Sequence, residues 1–296
     1  MEPRDPSLRR RRLLDRLGLA VLAGLAGAAL LPLLHILYTV AVNGAAAIAR
    51  SGLVEFLTAP PRPLDPENPG GIGPALLGSL WLIALSAAIG VPLAVFAGVF
   101  IAEFRRAGLS RLVLLLSLLL VEFPTILVGL YVYTVYVLPR QRATGGVGEG
   151  YSLLAGALAL ALVMMPYVAV QVSEALRGVP RELREAAFSL GASRLKTVYR
   201  VLLGVARRGI LVGVLIGLAK AAGETAPLLF TIGGGFEAYP RSPLQHGGAV
   251  PLLIYEYIQQ AQPGYHQLAW GASLVLLALV SGIMLASRLL VRRVRL

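Results

Sequence analysis

The sequence predicts an all-α integral membrane protein with six transmembrane helices, and three observations carry that prediction. Hydrophobic residues make up 57% of the 296 and charged residues 14%, where a soluble domain runs near about 45–50% and about 25%. The apolar residues collect in runs of the length a bilayer requires, about 20 residues each. These runs are Leu17–Val42, Pro74–Ala102, Leu112–Leu138, Leu153–Val172, Gly209–Ile232 and Leu268–Leu290. The basic residues are sorted by side: 21 of the 27 Lys and Arg fall in alternate connections, beginning with the N-terminus. Lys and Arg concentrate on the cytoplasmic side of membrane proteins, so both termini are expected in the cytoplasm.

The same figures exclude several classes. There are no cysteines, hence no disulfides, thiolate metal sites or cysteine nucleophiles. The net charge of +12 reads as an orientation signal and not as a nucleic-acid footprint. His35, His246 and His266 lack metal-ligand spacing. The stretch from Gly191 to Thr197 has no second glycine before Lys196, so it is not a phosphate-cradling P-loop. No hydrolysis of ATP is expected on this chain, which is predicted to be no enzyme and to bind no cofactor or metal of its own.

The first run follows Arg9, Arg10, Arg11 and Arg12. It far exceeds the ~7–15 residues of a signal-peptide core and is expected to stay as an anchor, its arginines facing the anionic inner leaflet. The outer connection from 43 to 73 carries Pro60, Pro61, Pro63, Pro66 and Pro69 and reads as irregular. Pro92, Pro124, Pro166 and Pro227 interrupt the runs; prolines in membrane helices free carbonyls that neighbouring protein must satisfy, which implies a packed bundle. Tyr131, Tyr133, Tyr136, Tyr151 and Trp270 cluster at the outer ends, the interfacial position such rings favour. A second outer connection, 233–267, holds an amphipathic piece, Val250–Gln260. Both connections read either as docking surfaces for an external protein or as plain connectors.

The cytoplasmic stretch from Ser173 to Arg208 is too polar to span. Pro180 suits the first turn of a helix, and Glu182 and Glu185 suit the positive end of its dipole. Gly191 supplies the left-handed residue that ends a helix. A second helical stretch, Ala192–Leu203, is predicted to follow. Glu185-Ala186-Ala187, three residues, then Gly191 resembles the EAA loop of ABC-importer permeases. That resemblance implies a coupling helix that docks on an ATPase subunit. The family's pattern ends in a proline where this chain has Gly204.

Ionisable residues inside a bilayer cost about 2.5–3.5 kcal/mol each on insertion scales and are functional candidates by default. Glu122, Lys220 and Glu224 stand within the runs. Lys220 is about 17 Å into the fifth run, near the middle of a core about 30 Å thick, and Glu122 has the same estimated depth. Lys220 and Glu224 are spaced to pair on one helix face. Lys before Glu is the weaker order, so pairing across helices with Glu122 stands equally. Thr225 and Thr231 add hydroxyls, and Gly223 and Pro227 allow a local break whose N–H groups can face an anion. The cluster reads as an anion pathway with Lys220 as its attractive point and the carboxylates as counter-ions or gates. It reads alternatively as a structural charge pair that locks helices together.

The string from Gly223 to Thr231, GETAPLLFT, resembles the signature of the PstA family of phosphate-importer permeases. PTILVGLYVYT at Pro124–Thr134, LREAAFSLGA at Leu183–Ala192 and QLAW at Gln267–Trp270 extend the resemblance over roughly residues 72 to 290. The family's usual arginine is Lys220 here, which keeps the charge and loses the bidentate fork. The resemblance implies a type I ABC-importer (MetI-like) permease core at 72–290. Residues 1–71 would precede it as basic N-terminus, first helix and outer loop, and 291–296 would follow as a cytoplasmic tail. It implies a prokaryotic inner-membrane permease for inorganic phosphate, working by alternating access. Its expected partners are a PstC-like permease, two PstB-like ATP-binding subunits that use ATP and Mg, and a PstS-like external phosphate-binding protein. A permease for phosphonate, sulfate or molybdate is the alternative, and a passive channel or scaffold a more distant one.

Overall fold

The structure is a computed structural model that describes residues 6–65, 67–104, 108–146 and 148–292. Arg4, Pro66, Arg105, Arg106, Arg293 and Arg295 lie outside the described residues. The described residues are helical throughout, apart from connecting loops and two isolated bridges.

Helix α1 (Pro6–Ser51) is long and apolar, and its most hydrophobic stretch buries nothing against the rest of the chain. It joins the bundle near its end, where Gly44 lies directly against Leu274 and the Trp270 carbonyl. The short α2 (Leu53–Thr58) drives Phe56 into the core. The chain then enters α3 (Gly73–Glu103), with Pro74 in its first turn, where the missing N–H costs nothing.

The third apolar run is not one helix. It is α4 (Gly108–Val121) and α5 (Thr125–Thr144), bent by 104° across Glu122, Phe123 and Pro124. The single span predicted for Leu112–Leu138 is corrected accordingly. Proline clashes with the preceding turn and disfavours helix in the residue before it, and Pro124 accordingly begins α5 and does not continue α4. Pro92 and Pro166, predicted to interrupt their runs in the same way, instead lie inside the unbroken α3 and the unbroken helix Leu153–Arg177.

Helix α6 (Leu153–Arg177) is the axis of the molecule, 67% of its most apolar window being buried. Gly90 and Gly98 of α3 face Ala161 and Ala169 of α6 in the same sequence direction, so the two helices run parallel. The chain between two parallel neighbours must return across the bundle once. The bent α4–α5 pair fits that crossing, made in two limbs, and counted with it the described residues hold six candidate spans.

After α7 (Arg181–Ser189) and the Gly191 turn, helix α8 runs from Arg194 to Ala222. Two expectations are corrected here. The predicted second helix of the basic loop, Ala192–Leu203, is the start of the fifth span itself, joined through a π-helical turn at Val198–Leu202. The fifth span also stops at Ala222, ten residues short of Ile232, and the chain leaves the helix at Gly223. Gly209, Gly213 and Gly217 line the face of α8 against Ala175, Gln171 and Val168 of α6. In an apolar solvent helices gain nothing from burying more hydrocarbon, so close approach through small residues is what holds them.

The connection 223–249 folds over the start of α6. The backbone N–H groups of Ser152, Leu153 and Leu154 donate to the carbonyls of Thr231, Gln245 and Pro243 at 3.1, 3.0 and 2.8 Å. Helix starts leave such donors orphaned, and the loop satisfies them. Helix α9 (Val250–Tyr257) occupies the predicted amphipathic piece, with Val250, Leu252 and Leu253 buried and Tyr255 exposed. Its first N–H donates to Ser79 Oγ of α3 at 2.8 Å. Tyr257 meets Phe236 and Tyr265 edge-on, at 5.4 and 4.8 Å between centroids. Helix α10 (Pro263–Arg292) closes the bundle against α1 and α8.

Candidate functional site

The end of α8 and the bend between α4 and α5 meet, and the charges predicted to be intramembrane are there. Lys220 lies in the last turn of α8, where the exposed carbonyls of the helix favour a cation. Its Nζ is 2.5 Å from Glu224 Oε1. Glu224 stands beyond the helix end, its N–H donating to the Ala221 carbonyl at 3.2 Å. The preference for Glu before Lys along a continuous helix therefore does not govern this pair. The carboxylate is 9% exposed and the lysine side chain 41%, so the pair lies at the edge of this chain's packed interior with the lysine as its more open member.

The second carboxylate oxygen is also engaged: Thr125 Oγ1, at the start of α5, donates to Glu224 Oε2 at 3.0 Å. One turn further along α5, Gly129 lies against the backbone of Pro227. The α5 limb of the bent span, the outer one in the predicted orientation, is thus packed face to face on the Glu224–Pro227 loop. The inner limb is held elsewhere, its Val121 carbonyl accepting a hydrogen bond from Tyr167 Oη of α6 at 3.0 Å.

The predicted pathway residues are not all in one place. Lys220 and Glu224 form the ion pair, and Thr225 follows them half-buried, its carbonyl accepting from Leu228 N–H at 3.0 Å. Glu122 sits exposed in the bend; the carboxylate on Lys220 is that of Glu224. Thr231 is fully buried, with its hydroxyl donating to the Pro227 carbonyl at 2.9 Å and its own carbonyl capping α6. Thr125, Tyr167 and Gly129 were not singled out from the sequence. Thr125 directly follows Pro124, and the first residue after a helix-breaking proline was the available signal.

On the basic face, α7 carries Glu185 and Ala186 exposed and Ala187 buried. Gly191 has φ +76°, the left-handed conformation in which only glycine is free of a Cβ clash. Arg184 straps this helix to the bundle: Nη1 meets Glu103 Oε1 of α3 at 2.5 Å, and Nη2 donates to the Leu176 carbonyl of α6 at 2.8 Å. Arg194 donates to the Glu103 carbonyl and lies 4.3 Å over the Phe104 ring. Between these elements is a cavity of 770 Å³ that Arg177, Arg181, Glu185 and Phe188 also line. Leu183, Phe188, Leu190, Leu195 and Tyr199 of the same stretch are exposed, apolar side chains on a polar loop.

Residues 90–296 match the family of binding-protein-dependent transport system inner membrane components, and the chain belongs to that family: a multi-pass inner-membrane transport component and not an enzyme. Within it the chain stands with the PstA permeases. It is 42% identical, over 94% of both chains, to the probable phosphate transport system permease protein PstA of Methanocaldococcus jannaschii. It is 37% identical to PstA of Xylella fastidiosa over 77% of both chains, and 34% identical to PstA 1 of Mycobacterium tuberculosis over 88% of this chain and 82% of that one. Two solved structures share the fold. A bacterial ABC transporter involved in alginate import matches with TM-score 0.66 and 17% identity, over 98% of this chain and 100% of that one. The inward-facing MetNI methionine transporter matches with TM-score 0.57 and 21% identity, over 74% of this chain and 95% of that one.

Proposed function

We propose that this chain is the permease through which an ABC importer moves inorganic phosphate, with the Lys220 ammonium as the attractive point of the path. The observation that carries the reading is the position of the ion pair: a lysine held by one carboxylate at a helix break, half-exposed at the edge of this chain's packed interior. A charge left bare in a low-dielectric site is costly, so Glu224 compensates Lys220 when no anion is present. An arriving phosphate replaces part of that compensation. A transporter needs such exchange, because an anion held tightly would not leave.

The basic face is cytoplasmic in this reading, and both termini are inside. A PstC-like permease completes the path beside Lys220. Two PstB-like ATPases dock on the apolar surface around α7, with Glu185, Ala186, Ala187 and Gly191 as the coupling element and ATP and Mg on the ATPases. A PstS-like binding protein delivers phosphate at the outer loops. ATP binding draws the ATPases together, α7 follows, and α8 follows α7, since only the Gly191 turn separates them. The bundle then alternates between outward and inward access.

The test is ATP-dependent uptake of labelled phosphate by the assembled complex in vesicles, with sulfate as competitor. The reading expects uptake that a large excess of sulfate leaves unchanged. Equal competition by sulfate would assign the path to oxyanions at large.

A further inference from the structure

We propose that Thr125 is a positioning residue that keeps Glu224 from occupying Lys220 completely; the inference rests on the pathway reading of Lys220. Glu224 divides its two oxygens, Oε1 to Lys220 Nζ at 2.5 Å and Oε2 to Thr125 Oγ1 at 3.0 Å. An ammonium has three N–H donors. With Oε2 tied to Thr125, the carboxylate engages the ammonium through one oxygen, and the remaining donors stay available to an anion.

The tie is built into the bend of the third crossing. Thr125 is fixed as the first residue of α5 by Pro124, and Gly129 seats the same helix face on Pro227 one turn later. The inner limb is moored separately, through Tyr167 to Val121. Without the hydroxyl, Oε2 is a nearly buried oxygen lacking a donor. The nearest remedy is rotation of the carboxylate so that both oxygens face the ammonium, where they compete with phosphate.

The experiment measures KM and maximal rate of ATP-driven phosphate uptake by the assembled complex in vesicles, for Thr125→Val, Thr125→Ser and Lys220→Gln. Thr125→Val, which keeps the shape and removes the donor, is expected to raise KM about tenfold, the equivalent of about 1.4 kcal/mol, with a much smaller change in maximal rate. Thr125→Ser, which restores the donor, is expected to stay within about twofold of the parent. If Thr125→Val fails to assemble, Thr125→Ala takes its place with the same expectation. An unchanged or lowered KM in Thr125→Val, or equal rises in the Val and Ser variants, overturns the positioning role. Loss of uptake in Lys220→Gln beside a parental KM in Thr125→Val removes the positioning role alone. Parental uptake by Lys220→Gln removes the pathway reading and this inference with it.

Discussion

Gly129 of α5 lies so close to Pro227 that a Cβ on it would stand 2.6 Å from Pro227 Cα and 2.7 Å from its carbonyl oxygen. The bent span and the loop after α8 meet here backbone to backbone, beside the Lys220–Glu224 ion pair. A backbone cannot step aside as a flexible side chain can. Gly129→Ala is therefore expected to cost about 1–3 kcal/mol, the range for overpacked sites, and to lower phosphate uptake. Gly204→Ala is the control: it is also helical, has open space around it, and is expected to be neutral or slightly stabilising. Melting of the purified complex distinguishes the two.

The Arg184 strap predicts a loss of coupling. Glu103 is 7% exposed, and removing the partner of a buried charge costs about 3–5 kcal/mol. Arg184→Ala frees α7 from α3 and α6 together. Under the proposed function, phosphate uptake is expected to fall at least tenfold while the basal ATP hydrolysis of the assembled complex persists. Arg184→Lys is expected to restore little, because one ammonium cannot reach both Glu103 and the Leu176 carbonyl as the planar fork does.

Gly191→Ala tests the hinge between α7 and α8. The space around Gly191 is open and its φ is +76°, so the whole cost is backbone strain, about 1–2 kcal/mol. The expected result is weaker association with the ATPase subunits at unchanged stability of the spanning bundle. Measured affinity of the permease for the ATPase, set beside its melting temperature, checks both halves.

Glu256 predicts a pH dependence on the face opposite the arginines. Burial lifts its carboxyl above the ordinary glutamate range. Below that range it is protonated both folded and unfolded, and nothing is lost. As pH rises from the ordinary value through the raised one, the unfolded chain releases the proton first and the folded state loses stability. Glu256→Gln is expected to raise the melting temperature at pH 7 and leave it unchanged at pH 4.

The architecture was largely legible because a bilayer imposes one strong rule, that runs of about 20 apolar residues become helices. The ends of those helices were harder to read. Leu112–Leu138 and Gly209–Ile232 are continuous in hydropathy, yet Pro124 divides the first and the second ends at Ala222. Hydropathy records solvent preference and not backbone hydrogen bonding, so a break shielded by neighbouring protein leaves no trace in it. Lys220 and Glu224 were legible as charges in an apolar run. Their partner Thr125, 99 residues before Glu224, was not, since a threonine in a membrane helix is unremarkable until its contact is known. The four-residue spacing of Gly209, Gly213 and Gly217 stands in the sequence but was not singled out there; its close packing on α6 emerges only from the structure.

The central claim, that the Lys220 charge attracts phosphate on its path, is tested most directly by ATP-driven uptake of labelled phosphate with Lys220→Ala and Lys220→Arg in the assembled, normally expressed complex. The account predicts that the alanine variant loses nearly all uptake while the arginine variant, which keeps the charge, retains a substantial part. Uptake by Lys220→Ala at the parental rate and KM would contradict it and leave the pair with Glu224 as a lock between helices.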